Sequence, residues 1–267
     1  MNTIILTPTD VAVAATLLLL DGALSIWLNL GIHRQLFIAA VRMVLQLVAI
    51  GYLLKIIFAI QNPVATLLLV LVMVVVAARE VAARPTQRFI GHATIGIGIG
   101  AVGTATLITV ILALITAIRP TPWYEPHYAI PLAGIILGNV LNAASISLDS
   151  ILSSVRRERS PIEARLALGA SFREAMSPVV RDAIRRGLLP VINQMSAAGL
   201  VVLPGIMTGQ ILVGLDPLEA VKYQILLMFL LSGGSGISAV IVAYAAAWRL
   251  TDERGRLRLD RLRSGGR

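Results

Sequence analysis

Apolar residues run through this chain in long, nearly unbroken stretches, and polar residues collect between them. A helix that crosses a bilayer needs ~20 predominantly apolar residues. Seven stretches reach that length, at residues 11–30, 36–58, 64–83, 93–118, 129–148, 188–212 and 220–248. The pattern predicts an all-α, polytopic membrane protein of about seven transmembrane helices. Residues 1–248 read as a single transmembrane domain and 249–267 as a basic cytoplasmic tail. All links are short except one. That link, 150–187, is long, polar and basic, and predicts a helical elbow between spans 5 and 6. The first span has its own start signal rather than a signal peptide's basic leader. Thr7 suits an N-cap, Pro8 the first helical position, and Asp10 the positive first turn.

Composition supports the same class. Hydrophobic residues make up 57% and charged residues 14%, with a mean hydropathy of +0.84. Soluble domains carry ~25% charge. The chain has no cysteine, which excludes disulfides, thiolate metal sites and cysteine nucleophiles. The net charge is +9, and its distribution sets an orientation. Nineteen Lys and Arg residues fall in the links after spans 1, 3 and 5 and in the tail, against two in the alternate links. Basic loops stay cytoplasmic. The N-terminus is therefore expected outside and the C-terminus in the cytoplasm, so the number of spans is odd. Cysteines introduced at positions 3 and 160 should label from opposite sides of intact cells, and labelling of both from one side would overturn this orientation. The same reasoning assigns the basic tail to anionic membrane lipid rather than to nucleic acid.

Charges and amides inside the membrane need partners or a pathway. Asp21 lies ~13 Å and Arg42 ~9 Å from the same end of spans 1 and 2, at ~1.5 Å per residue. They read as an intramembrane ion pair, either structural or on the solute's path. Asn139, Asn142, Ser145 and Asp149 form a stripe on span 5 at helical spacing. It serves either interhelical hydrogen bonds or a transport path. Span 6 contains Asn193, Gln194, Met195 and then Pro204-Gly205, followed by Met207, Thr208 and Gln210. Pro-Gly interrupts the helix, and such a break is tolerated only inside protein or against water. It is either a packing kink or a place where freed carbonyls meet a polar solute. The expected substrate-pathway residues are therefore Asn139, Asn142, Asn193, Met195, Pro204, Met207 and Gln210. Gly205 and Gly209 have a close-packing spacing, as do Gly96, Gly98, Gly100 and Gly103 in span 4.

Neither a catalytic constellation nor a Gly-Lys dipeptide of a P-loop occurs in the chain. It is not expected to be an enzyme or to bind a cofactor itself. Any ATP-Mg belongs to a partner subunit. The elbow carries two candidate capping boxes, Ser160-Pro-Ile-Glu163 and Ser171-Phe-Arg-Glu174, around a stop at Gly169. Ser177-Pro178 is expected to break or restart the second helix. This shape fits a groove on a cytosolic partner better than a solvated linker.

Glu163-Ala164-Arg165-Leu166-Ala167-Leu168-Gly169 resembles the Glu-Ala-Ala-x-x-x-Gly loop of ABC importer permeases, which seats on the ATPase subunit. A broader resemblance joins several runs: Arg42-Met-Val-Leu-Gln-Leu47, Gly138-Asn139, Leu166-Ala-Leu-Gly-Ala170, Leu189-Pro-Val-Ile-Asn193, and Leu203-Pro-Gly-Ile-Met-Thr-Gly-Gln-Ile-Leu212 with Tyr223-Gln224. From span 2 to span 7 the chain resembles the bacterial Fet-type iron-export permeases, a family that includes plant aluminium-tolerance membrane proteins. The resemblance implies a homodimeric ABC transporter subunit in the bacterial inner membrane, exporting metal with a cytosolic ATPase. Residues Glu163, Ala164, Gly169, Arg173 and Glu174 would make the ATPase coupling. Plant relatives are linked to nucleotide-sugar movement, so another exported solute stays open. From the residues alone, an ion-coupled carrier or channel, or an assembly scaffold, also stays open.

Overall fold

The computed structural model describes residues 7–122 and 124–264. They divide into two compact units, split between Gln61 and Asn62. In the first unit, α1 (Pro8–Trp27) and α2 (His33–Ile60) form a hairpin. Asp10 reaches back from the first turn, accepting from the Thr7 amide at 2.8 Å and its hydroxyl at 2.6 Å. The reversal uses Asn29 and Gly31 at positive φ, and buried Ser25 Oγ accepts from the Ile32 amide at 3.2 Å.

The second unit holds α3 (Pro63–Ala83), α4 (Ala93–Leu112), α5 (Pro126–Arg157), α6 (Arg159–Ala167), α7 (Phe172–Ala197), α8 (Gly205–Leu212) and α9 (Pro217–Arg249). A π-helical turn, Ala113–Ile118, extends α4. Asn62 caps α3, accepting from the Val64 amide at 2.8 Å. α5 is the centre of the unit and packs on α3, α4, α7 and α9. Its Ile136, Val140, Leu148, Ile151, Leu152 and Val155 are buried throughout.

In lipid the hydrophobic effect does not drive helices together, so close backbone approach and polar contacts do. Glycines permit that approach at three crossings. A Cβ on Gly98 would meet the Ala78 carbonyl at 2.9 Å, and one on Gly187 the Ala143 carbonyl at 2.9 Å. One on Gly234 would meet Thr109 Oγ1 and Val140 at 3.1 Å. Ser147 and Ser238 add hydrogen bonds between α5 and α9, donating to the carbonyls of Ala239 and Val140 at 3.2 and 3.3 Å. Of the span-4 glycines, Gly98 and Gly103 face α3, whereas Gly96 and Gly100 have open space beside them. Gly205 and Gly209 also have open space, so their spacing packs nothing within the chain.

Among the described residues six helices, α1 to α5 and α9, are long and apolar enough to cross a membrane, whereas α6, α7 and α8 are not among them. The stretch expected as the sixth span is discontinuous. α7 carries it to Ala197, the chain leaves helical geometry over 198–204, and α8 resumes at Gly205. Gly199 at φ +85° opens the break and Pro204 closes it.

Two elbow expectations are corrected. α6 begins at Arg159, after a kink at Glu158, so Ser160 lies inside the helix and caps nothing. Glu163 instead pairs with Arg159 at 2.8 Å. α5 runs to Arg157, so the helix has no free start for Ser160 to cap. Pro178 does not break α7, which is continuous through Pro178 and Pro190. A helix-interior proline costs ~3 kcal/mol. Burial of Met176, Val179 and Val180 on that face offsets it, at ~1.5–3 kcal/mol per large side chain.

The all-α architecture carries one small addition. β1 (Gln87–Phe89), after α3, pairs antiparallel with β2 (Leu262–Ser264) of the tail, placing Arg88 opposite Arg263.

Candidate functional site

The break in the sixth stretch opens on a cavity of about 230 Å³. Four elements form it. α5 contributes Asn139, α7 Gln194, the break and the start of α8 contribute Pro204 and Gly205, and α9 contributes Gln224. Ile135, Leu227 and Leu231 supply apolar wall. Asn139 Nδ2 donates to the Ile135 carbonyl at 3.2 Å. Gln224 is only 7% exposed, and its Oε1 has no hydrogen-bond partner among the described residues. α8 begins without a side-chain cap, so the positive end of its dipole opens at this wall. A buried amide oxygen without a partner costs ~1–3 kcal/mol. The cavity therefore presents unmet hydrogen-bonding capacity inside an apolar shell. Its lining contains no carboxylate. Among the described residues, no group of three or more His, Asp or Glu gathers to hold a metal.

The structure divides the expected pathway residues. Asn139 and Pro204 line the cavity. Asn142 is outside it, accepting from Arg84 Nη1 at 3.0 Å. Asp149, on the same stripe, accepts from the Thr86 amide and hydroxyl at 2.7 and 2.9 Å. The stripe thus ties α5 to the chain leaving α3, and only its Asn139 end reaches the cavity. Asn193 is exposed, Met195 is half-buried against the core, and Met207 and Gln210 are half-buried on α8 away from the lining. Gln194 and Gln224 line the cavity too, although the expected pathway residues included neither. The available signal was each amide's place in an apolar stretch, and Gln224 is the more isolated of the two.

Asp21 and Arg42 both lie in the α1–α2 hairpin. Asp21 is six residues before the end of α1 and Arg42 nine residues after the start of α2, an axial offset of ~5 Å.

At the elbow, the second capping box forms as the sequence predicts. The Ser171 amide donates to Glu174 at 2.9 Å, and the Glu174 amide donates to Ser171 Oγ at 3.3 Å. The hydrogen bonds from the Ser171 hydroxyl and amide hold the Glu174 carboxyl below the usual carboxylate range. Gly169 turns the chain at φ +92°. Glu163, Ala164 and Arg173 are exposed, and Leu168 is 88% exposed at the tip. Beside the tip, Phe172, Arg173, Met176, Arg181 and Trp248 line a groove of about 400 Å³.

A match to the uncharacterised protein family UPF0014 covers residues 8–250. The UPF0014 membrane protein slr1647 of Synechocystis is 40% identical over 84% of this chain and 86% of its own length. The protein of Escherichia coli named "Probable iron export permease protein FetB" is 31% identical, over 98% of this chain and 99% of its own. The UPF0014 membrane protein STAR2 of Oryza sativa is 36% identical over 83% and 76%. No solved structure matches the chain. With helices long and apolar enough for several crossings, and with relatives of this identity along most of its length, the chain is a multi-pass membrane protein of the UPF0014 family.

Proposed function

We propose that this chain is the permease subunit of an ABC transporter that exports a metal ion, iron being the candidate. It works as a homodimer in the bacterial inner membrane and is driven by ATP-Mg on a separate cytosolic subunit. The observation that carries this reading is the elbow: a capped helix, a left-handed Gly169 turn and an almost fully exposed Leu168 at its tip. A solvated linker has no need of that geometry, and an ATPase groove has. The name of the Escherichia coli relative supplies the metal. In the proposed orientation the elbow and tail face the cytoplasm, and the broken stretch completes a seventh crossing.

The cavity of Asn139, Gln194 and Gln224 is the solute's path in this reading. Amides without carboxylates cannot neutralise a bare divalent ion, so the ion passes with part of its own shell of water or chelator. A second reading, export of an uncharged hydrogen-bonding solute, is favoured by that same absence of carboxylate from the lining. Reconstitution with the ATPase subunit tests both. Gln224→Leu should lower solute efflux about tenfold, the equivalent of one good hydrogen bond, with ATPase binding intact. Unchanged iron efflux in the variant moves the path elsewhere, and solute movement without any ATPase subunit overturns the ABC reading.

A further inference from the structure

The tail, expected as a basic segment beside anionic membrane lipid, folds into a cup. Arg249, Arg254, Arg256, Arg258 and Arg261 line one concavity of about 660 Å³, with Trp248 on its rim. The lining carboxylates are Asp252 and Glu253, which leaves a surplus of three positive charges.

Three of the five guanidiniums build the cup. Arg261 Nη1 donates to the carbonyls of Arg249 and Thr251 at 2.7 and 3.0 Å, folding the tail back on the end of α9. Asp252 accepts from Arg256 Nε at 2.9 Å and from the Arg254 and Arg256 amides at 3.0 and 2.9 Å. Arg258 makes a two-pronged contact with Asp260, at 2.8 and 2.7 Å. That pair holds the Asp260 carboxyl at about 2, so the contact persists through any cellular pH. The β1–β2 ribbon anchors the far end. Arg249 and Arg254 also line the cup, and their guanidiniums have no hydrogen-bond or ion-pair partner among the described residues. A guanidinium's planar fork of donors matches phosphate oxygens.

The cup also lies at a defined level. α9 has 33 residues, ~50 Å of helix against a hydrocarbon core of ~30 Å. The helix is longer than the core, and the interfacial and charged residues Trp248 and Arg249 at its end belong to the headgroup layer. Trp248, 74% exposed there, is the residue type that settles at that interface.

We propose that residues 248–261 form a phosphate-binding cup, in which Arg249 and Arg254 grip the phosphate of an anionic phospholipid headgroup or of a soluble phosphoester. Trp248 and Thr251 line both the cup and the groove beside the elbow.

The test uses the full chain in detergent and three probes: short-chain phosphatidylglycerol, short-chain phosphatidylcholine and inorganic pyrophosphate. Phosphatidylglycerol or pyrophosphate should bind, and Arg249→Gln with Arg254→Gln should weaken binding about tenfold or more with helical circular dichroism unchanged. Arg254→Gln alone, in an exposed turn, repeats the test should the double variant misfold. Phosphatidylglycerol that pyrophosphate does not displace assigns the cup to lipid. Pyrophosphate that binds alone and displaces lipid assigns it to soluble phosphoesters. The proposal is overturned if neither probe binds, if phosphatidylcholine binds as tightly as phosphatidylglycerol, if the variants bind like wild type, or if chloride at equal ionic strength displaces the probe as well as pyrophosphate does.

Discussion

Replacing Gly169 with valine is expected to abolish transport-stimulated ATP hydrolysis while leaving the membrane helices folded. Gly169 sits at φ +92° with nothing within 4 Å of where a Cβ would be. Space is therefore not the obstacle. The strain is in the backbone, ~1 kcal/mol or more for a side chain in the left-handed region, and higher for a β-branched one. Valine relieves that strain by re-routing the turn, which moves Leu168 and the end of α6 off their present line. The seat of the proposed ATPase is lost, although Ile162 and the buried face of α7 still hold the elbow's base. Glu163→Lys is the companion variant. It breaks an exposed ion pair with Arg159, worth ~0–1 kcal/mol, so folding barely responds. Loss of co-purification with the ATPase then reports a lost contact rather than a lost fold. Full binding and stimulated turnover in both variants would reduce the elbow to a solvated loop.

The second large effect is expected at Asp21 and Arg42. We propose that these charges pair across the α1–α2 hairpin. Both lie several residues inside apolar helices, and the axial offset of ~5 Å is within the reach of an arginine side chain. Removing one member leaves a charge in a poor dielectric, at ~3–5 kcal/mol. Asp21→Asn and Arg42→Gln should each lower the yield of folded protein in size-exclusion profiles. The double variant should recover part of the loss, because it buries no lone charge. Strictly additive losses would mean the two do not pair.

The amino-acid sequence alone settled what depends on neighbours within a few residues and on the bilayer. Run length gave seven stretches, of which six are crossing-length helices among the described residues, because a helix in lipid must satisfy its own backbone over ~20 residues. The caps at Thr7–Asp10 and Ser171–Glu174 and the stop at Gly169 were legible because each closes within one turn. The same local logic failed at Ser160, where α5 had already used the segment as helix, and at Pro178, where burial of one face of α7 outweighed a missing hydrogen bond. Only the tertiary structure decided which polar groups meet. Asn142 found Arg84 and Asp149 found Thr86 across about sixty positions. Gln224 reached the Pro204 break from another helix, and the tail paired with residues 87–89. These meetings depend on how each helix is rotated about its axis. In a soluble helix the polar face reports that rotation. Here nearly every face is apolar, so the rotation is written instead in which glycines permit contact: Gly98, Gly187 and Gly234 rather than Gly96, Gly100 or Gly205. That choice exists only once the helices are packed.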